Sequence, residues 1–297
     1  MSVGSNSKAQ TARLLAAAAA LGIFYWGLYR MPVTGAKAAL DPEKSRELQE
    51  QSAVMRRFGK WAQALPPTLK LHGTYPESHI YLAQLAEIYD HLGRYREEAA
   101  TWEEYLGRAP RPIEGCPQIG EAYQKQGLEK ESIGAFEKCL ALEPDSPDQM
   151  FYLAHALEKS GQTDRAAALY ERGVAIHPDY ADLALGLARI RLRQGKYEET
   201  RTLAENTLAH SPANPDALLM LGLVCQRQGN RSEAKQYLER GVQVADHYSD
   251  LHLALANLAE QESDLHGAIL QYEKVVQLDK TNADAAHRLE VLRRVRE

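Results

Sequence analysis

The sequence predicts an all-α solenoid built from stacked two-helix units, and three sets of equally spaced residues predict it. Each set recurs with a step of 34 positions over most of the chain. The first set is glycine, at Gly59, Gly93, Gly127, Gly161, Gly195 and Gly229. The second is proline, at Pro42, Pro76, Pro110, Pro144, Pro178 and Pro212. The third is an aliphatic residue followed by a small one, from Leu85-Ala86 to Leu255-Ala256. A fixed period of this length is typical of supersecondary units that stack on one another.

Residues 147–178 show how one unit is made. Ser146 is a favourable N-cap, and Pro147 fits the first helical position, where a missing N–H costs nothing. Gly161 tolerates the positive φ that is needed where the first helix ends. Pro178 cannot continue the second helix, because it has no N–H to donate and its ring clashes with the preceding turn. The unit is therefore predicted to be two short helices folded against each other.

This unit resembles the tetratricopeptide repeat (TPR), a 34-residue helix–turn–helix with small residues early in helix A, glycine at the turn and proline at the end. The resemblance covers roughly residues 45–282. It implies a right-handed superhelix that binds proteins. Helix B departs from the alanine that the family prefers at Glu98, Ser132 and Thr200. The sixth full copy has Ser263 in place of the turn glycine and Lys280 in place of the proline.

The chain is predicted to contain six parts. They are a polar tail at 1–10, a single transmembrane helix at 11–33, a linker at 34–44, a degenerate leading repeat at 45–78, six TPR repeats at 79–282 and a capping helix at 283–297.

Two of these parts carry more detailed expectations. In the leading repeat, residues 45–64 are expected to form one amphipathic helix. Its expected buried residues are Leu48, Val54, Met55, Phe58 and Trp61. Residues 65–75 are expected to be irregular, because Pro66 and Pro67 would break a helix. In the capping helix, the residues expected to cover the last repeat are Ala286, Leu289 and Val295.

An uncharged apolar stretch, Leu14–Tyr29, predicts the membrane anchor. It is about 24 Å long as a helix, short of the hydrocarbon core of about 30 Å. Extension to residues 11–33 closes the gap if Arg13 and Arg30 point outward. The alternative is a cleaved signal peptide, since Ala36-Lys37-Ala38 resembles a cleavage site, but that site lies well past the apolar stretch. We favour an uncleaved anchor with the repeats on the extracytoplasmic (periplasmic) side.

Composition and motifs argue against several classes of function. The net charge is −5, and residues 1–40 contribute +4, which leaves −9 on residues 41–297. An acidic domain is a poor binder of nucleic acid. An acidic ladder recurs with the same step, and each acid is interpreted as a first-turn residue that interacts favourably with the dipole of its helix. The ladder is Asp148, Asp182, Asp216, Asp250 and Asp284. No zinc, haem or phosphate-binding motif is present. We expect no cofactor, no metal, no small-molecule substrate and no catalysis.

Cys116 and Cys139 are candidates for a disulfide. In repeat register Cys116 starts helix A and Cys139 lies near the end of helix B of the same copy, so antiparallel packing brings them together. The alternative, which the residues favour, is that both cysteines and Cys225 are small buried hydrophobes. A bridge would support an oxidising compartment.

The resemblance also implies a binding groove, because helix A lines the concave face in this family. The matching apolar positions are Phe151, Tyr152, Leu185, Leu219, Met220, Leu223 and Leu253. The polar and cationic ones are His155, Lys159, Arg189, Arg193 and Arg227. An apolar floor flanked by cations suits a peptide with hydrophobic anchors and some acidic character. The alternative is that side chains such as Phe151 and Leu185 are half-buried between helices. Only Asn257 falls at a clamp-type position, so a chaperone-tail receptor is not expected.

The leading hypothesis for function is a non-enzymatic scaffold: a membrane-tethered solenoid that holds partner proteins in a membrane complex or during its assembly. The alternative is an accessory or regulatory subunit of a membrane enzyme, of the electron-transfer or cofactor-maturation type. The sequence names no partner, since fold-level resemblance alone does not supply function.

Overall fold

The computed structural model describes residues 40–296, and every regular element among them is a helix. The chain divides after Pro76 into two compact units. The helices of the first unit are α1 (Pro42–Arg57) and α2 (Trp61–Thr74). Those of the second are α3 (His79–His91), α4 (Tyr95–Arg108), α5 (Cys116–Lys125), α6 (Glu129–Leu142), α7 (Pro147–Lys159), α8 (Thr163–Ile176), α9 (Ala181–Arg193), α10 (Tyr197–His210), α11 (Pro215–Arg227), α12 (Arg231–Val244), α13 (Ser249–Gln261), α14 (Leu265–Leu278) and α15 (Ala283–Arg296).

None of the helices within residues 40–296 is long and apolar enough to cross a bilayer. The predicted transmembrane helix at 11–33 lies outside the described residues, as do the polar tail and the first residues of the linker.

The first unit corrects the sequence analysis of the leading repeat. Residues 45–64 are not one helix, because Gly59 takes a φ of +68° and separates α1 from α2. Residues 65–74 are helical although Pro66 and Pro67 lie inside α2. An interior proline costs about 3 kcal/mol. Pro67 is buried, however, on a face of α2 that packs against α1, and Thr68 Oγ1 shares a 2.7 Å hydrogen bond with Ser52 Oγ across that interface. Tertiary packing outweighs the local preference.

The buried residues of α1 also differ from those expected. Val54 and Phe58 are 49% and 71% exposed. The buried face instead carries Ser45 and Ser52, which pair with hydroxyl groups of Tyr75 and Thr68. The helix pair therefore uses polar contacts where the hydrophobic pattern predicted apolar ones.

The turn glycines behave as predicted. All six have positive φ, from +68° at Gly59 and Gly93 to +83° at Gly229. In the sixth repeat Ser263 takes the same left-handed conformation, with φ +61°, without being glycine. Each helix A therefore ends in the same turn, which sets the angle at which helix B folds back.

In two repeats a glycine of helix A faces a large side chain of helix B. A Cβ atom on Gly120 would lie 1.9 Å from Phe136 Cζ, and one on Gly222 would lie 2.5 Å from a methyl carbon of Leu238. The side chains at this helix B position are buried in all six repeats. They are Trp102, Phe136, Tyr170, Ala204, Leu238 and Tyr272.

A second size match joins one repeat to the next. A Cβ on Gly173 in helix B would lie 2.7 Å from Leu183 of the following helix A, and one on Gly241 would lie 2.6 Å from Leu251. At the first junction the sizes are reversed, since Gly115 faces Tyr105 at 2.8 Å. Each of these junctions pairs one glycine with one large side chain. The helices can therefore approach closely whether the glycine lies in helix B or on the other side of the junction.

Helix α15 packs on the last repeat through a face that differs in part from the one expected. Leu289 is buried, whereas the buried alanine is Ala285 rather than Ala286, and Val295 is exposed. Ala285 and Leu289 are one turn apart and pack on Tyr272 of the last repeat.

A buried carboxyl group lies in the first TPR-like pair. Glu98 in α4 is 3% exposed, and its Oε2 has no hydrogen-bond partner among the described residues. At the same repeat position Ser132 Oγ donates to Gly120 O at 3.0 Å, and Thr200 Oγ1 donates to Ala188 O at 3.4 Å. Burial raises the pKa of Glu98 to about 7, and Lys125, itself paired with Asp90 at 2.5 Å, opposes this only in part.

We predict opposite effects for two glycine-to-alanine changes in one repeat. Gly120→Ala should lower the free energy of unfolding by about 1–3 kcal/mol, because the new methyl group overlaps the buried ring of Phe136. Gly134→Ala, in α6 with nothing within 4 Å of its Cβ, should raise it by about 0.5–1 kcal/mol. Urea denaturation followed by circular dichroism measures both. Equal effects of the two changes would contradict the size match.

We also predict that Glu98→Gln stabilises the protein above neutral pH. The pKa of Glu98 is higher in the folded protein than in the unfolded chain. The favourable contribution of the protonated carboxyl group to stability is therefore complete below the unfolded pKa of about 4.5 and is lost as pH rises through about 7. At pH 8 the amide should add about 3 kcal/mol, with no gain at pH 4.5. The control is Glu97→Gln, which removes the ion pair with Arg94 and should not stabilise at any pH. Identical urea midpoints for Glu98→Gln and wild type at pH 8 would refute it.

Candidate protein-binding face

The free sides of the helices A form one continuous surface in the second unit. Helix α9 contacts both α7 and α11, and α11 contacts α13, so these helices lie side by side while each helix B packs behind them. We call the exposed side of α5, α7, α9, α11 and α13 the A face. Side chains spaced three or four residues apart on these helices point towards it.

An aromatic depression of about 400 Å³ opens on the A face between α5 and α7. Its floor is formed by Phe136, Phe151, Tyr152 and His155, and its rim by Glu121, Gln124, Lys125 and Lys159. The rings of Phe136 and Tyr152 stack with centroids 5.8 Å apart and planes 11° apart. Phe151 and His155 stack in the same way, at 5.8 Å and 9°. Four predicted groove residues, Phe151, Tyr152, His155 and Lys159, are thus brought together.

The two ends of the depression have opposite electrostatic surroundings. Burial lowers the pKa of His155, and the positive charges of Lys159 and Arg189 lower it further. Burial raises the pKa of Tyr152, and Asp148, Glu121 and Asp182 raise it further. At neutral pH His155 is therefore an uncharged ring, available for stacking.

Two of the predicted groove cations form ion pairs with a carboxylate of the protein itself. Arg189 donates to both carboxylate oxygens of Glu158, from Nε to Oε1 at 3.1 Å and from its terminal nitrogen to Oε2 at 2.8 Å. Arg193 donates to Glu158 Oε1 as well. Burial tends to raise the pKa of Glu158, but the bonds from the two arginines outweigh it and lower that pKa. This triad joins α7 to α9.

The other two cations are free. Lys159 and Arg227 are exposed, and neither has a hydrogen bond or ion pair to any described residue. Both lie in the last turn of a helix A, where positive charge is favoured by the helix dipole.

Several predicted apolar groove residues turn inward. Leu185 and Leu219 are only 7% and 6% exposed and pack in the cores between helices. Met220 and Leu223 are half-buried against the same cores, and Leu253 is half-buried against the core that includes Tyr272 and Leu289. For Leu185 the alternative of burial between helices is the one observed. On the A face the half-buried aromatic rings are grouped at the aromatic depression.

The acidic ladder lies at the opposite ends of the helices A. Tyr180 Oη donates to Asp148 and Tyr248 Oη donates to Asp216, in each case from the residue just before the next helix A. Burial raises the pKa of Asp182, and the neighbouring charges of Asp216 and Asp148 raise it further. The sequence analysis missed these tyrosine bonds, although the recurrence of Tyr180 at Tyr248 was a signal for them. Among the described residues no His, Cys, Asp and Glu side chains are grouped to hold a metal ion.

The structure joins Cys116 and Cys139 in a disulfide, with Cα atoms 5.8 Å apart. The free cysteine, Cys225, is buried, and burial raises the pKa of its thiol. The bridge links the start of α5 to the later part of α6, and these two helices supply Glu121, Lys125 and Phe136 to the depression. Helix α5 has 10 residues, where the other helices A of the repeats have 13, because a 3₁₀ turn replaces its first turn. The bridge therefore ties the start of this short helix to α6.

The repeat unit is similar to one found in known proteins. A model of the tetratricopeptide repeat matches residues 124–190, 158–203 and 191–258. Residues 124–258 are therefore similar to tetratricopeptide repeats. Such repeats are generally non-catalytic modules for protein interaction. No curated protein sequence is similar enough to match the chain.

Solved structures share this fold at low sequence identity. A TPR protein from Parabacteroides merdae has a TM-score of 0.67 and 13% identity, over 84% of this chain and 99% of its own. A TPR protein from Thermus thermophilus has a TM-score of 0.53 and 22% identity, over 61% and 98%. PilW, a widely conserved type IV pilus biogenesis factor, has a TM-score of 0.58 and 18% identity, over 72% and 97%. These likenesses support the all-helical TPR solenoid and say nothing of a membrane helix.

We predict that reduction of the disulfide destabilises the second TPR pair. The bridge closes a loop across a separation of 23 residues, for which chain entropy gives about 3 kcal/mol. Cys116→Ala with Cys139→Ala should therefore lower the melting temperature, and dithiothreitol should lower that of the wild type but not of the variant. Alkylation under denaturing conditions without reductant should label only Cys225. Three labelled thiols in freshly isolated protein would contradict the bridge.

Proposed function

We propose that this protein is a non-enzymatic scaffold, tethered to a membrane, that holds partner proteins of a membrane complex or of its assembly on the A face. The observation that carries the proposal is the aromatic depression at Phe151, Tyr152 and His155. A half-exposed aromatic cluster beside charged side chains is the kind of surface that binds an apolar side chain of a partner.

The membrane tether is supported by the sequence. The stretch Leu14–Tyr29 has no charged residue, and residues 11–33 are long enough to span the hydrocarbon core. An extracytoplasmic position for the repeats is supported by the Cys116–Cys139 disulfide, because such bonds persist in oxidising compartments. An assembly role is in keeping with the pilus biogenesis factor that shares the fold, although that likeness is one of fold only.

We predict that Phe151→Glu abolishes partner capture while the fold is kept. A buried charge in the depression should weaken binding at least about tenfold. The matched control is Ile176→Glu, in the same repeat, at a side chain 43% exposed at the end of helix B. The full chain is purified in mild detergent after cross-linking in cells, and the retained proteins are quantified by mass spectrometry. Partners should be retained by the wild type and by Ile176→Glu and lost from Phe151→Glu.

The same experiment separates the possible roles. A single partner retained in fixed stoichiometry without cross-linking favours an accessory subunit, whereas several partners retained only after cross-linking favour an assembly scaffold. If Phe151→Glu melts at the wild-type temperature and retains the same proteins, the A face is not the binding surface. Should Phe151→Glu unfold, His155→Glu, which also changes the floor of the depression, is the second variant to compare.

A further inference from the structure

The A face has opposite charge along its two edges. At the C-terminal ends of the helices A lie Lys159 and Arg227, which are exposed and have no partner among the described residues. At the N-terminal ends lie Asp148, Asp182 and Asp216. Eleven residues separate Asp148 from Lys159, which is about 16 Å along a helix. The two edges are therefore far enough apart to act on different parts of a bound segment.

The acidic edge forms no ion pair within the part of the chain that the structure describes, although the charge of Arg189 acts on Asp216. Asp148 and Asp216 accept hydrogen bonds from Tyr180 and Tyr248, which are uncharged donors. Among the described residues none of Asp148, Asp182 and Asp216 forms an ion pair with a basic side chain. Burial raises the pKa of Asp182, and the charges of Asp216 and Asp148 raise it further, so the three carboxylates lie close enough to repel one another.

The aromatic depression lies between these edges. Its His155 end faces Lys159, and its Tyr152 end faces Asp148 and Glu121. An apolar side chain seated on the rings would place the residues on its two sides next to charges of opposite sign. Exposed pairs of this kind contribute modestly to affinity but fix orientation and exclude wrong partners.

We infer that the partner of this face is a polypeptide segment with an apolar or aromatic anchor, carboxylates on the side of Lys159 and Arg227, and basic side chains on the side of Asp148 and Asp182. This inference rests on the proposed function, because it specifies what the same surface binds. The unlike edges admit the segment in one direction only, since a reversed segment would bring like charges together.

The test is peptide selection on the full chain in detergent, with a phage library of random 16-residue peptides as the probe. Three proteins are compared: the wild type, Lys159→Glu with Arg227→Glu, and the control Lys138→Glu with Lys235→Glu. The control makes the same charge change at exposed lysines of helices B. Peptides are counted only if their binding is lost with Phe151→Glu.

Wild type and control should select an apolar anchor with acidic residues on one side and basic residues on the other. The Lys159→Glu/Arg227→Glu variant should select peptides that have lost the acids and kept the bases. A synthetic peptide from the wild-type selection should bind this variant about three- to tenfold more weakly than the control, with the difference shrinking in high salt.

Two results would overturn the inference in distinguishable ways. Peptides that depend on Phe151 but show no charge bias, or the same bias in all three proteins, refute the charge assignment and leave the scaffold intact. If no selected peptide depends on Phe151, both the assignment and the proposed binding face are wrong.

Discussion

The structure of the repeats depends on one constraint: at several helix crossings a glycine must face a large side chain. Gly120 under Phe136 and Gly222 under Leu238 meet this condition within a repeat, and Gly173 with Leu183 meets it between repeats. Because interiors are packed as densely as crystals, a single methyl group at such a crossing cannot be absorbed without displacement. The crossings hold the helices of a pair at a fixed distance. The positions of the surface side chains follow from that distance.

The A face follows from these crossings. The helices A lie side by side, so first-turn acids and last-turn bases, each favoured locally by the helix dipole, line up in two rows. A feature that stabilises single helices thus becomes an electrostatic field across the A face. In the middle of the basic row Arg189 and Arg193 share the carboxylate of Glu158, whereas Lys159 and Arg227 have no partner among the described residues. Packing turns Leu185 and Leu219 inward, and the half-buried aromatic rings of the A face are grouped at the aromatic depression.

The second TPR pair departs from the common pattern at the place where the depression is built. Its helix A is shorter, with a 3₁₀ turn before it, and a disulfide ties its start to helix B. Its neighbour carries Glu98 where other repeats have alanine or a hydroxyl group. The disulfide stabilises this part of the stack, and the buried carboxyl group of Glu98 destabilises it when ionised. The 34-residue pattern requires neither feature.

The sequence by itself determined the repeat, its turn residues and the large side chains of helix B, because a 34-residue period repeats the same local chemistry many times. It did not determine which way side chains face at a junction. Leu219 could not be told from an exposed groove residue, nor Glu158 from a free acid, since both depend on what the next repeat presents. Pro66 and Pro67 could be accepted inside α2 only because α1 covers that face. Burial and pairing between units are properties of tertiary contact, and only the three-dimensional structure decided them.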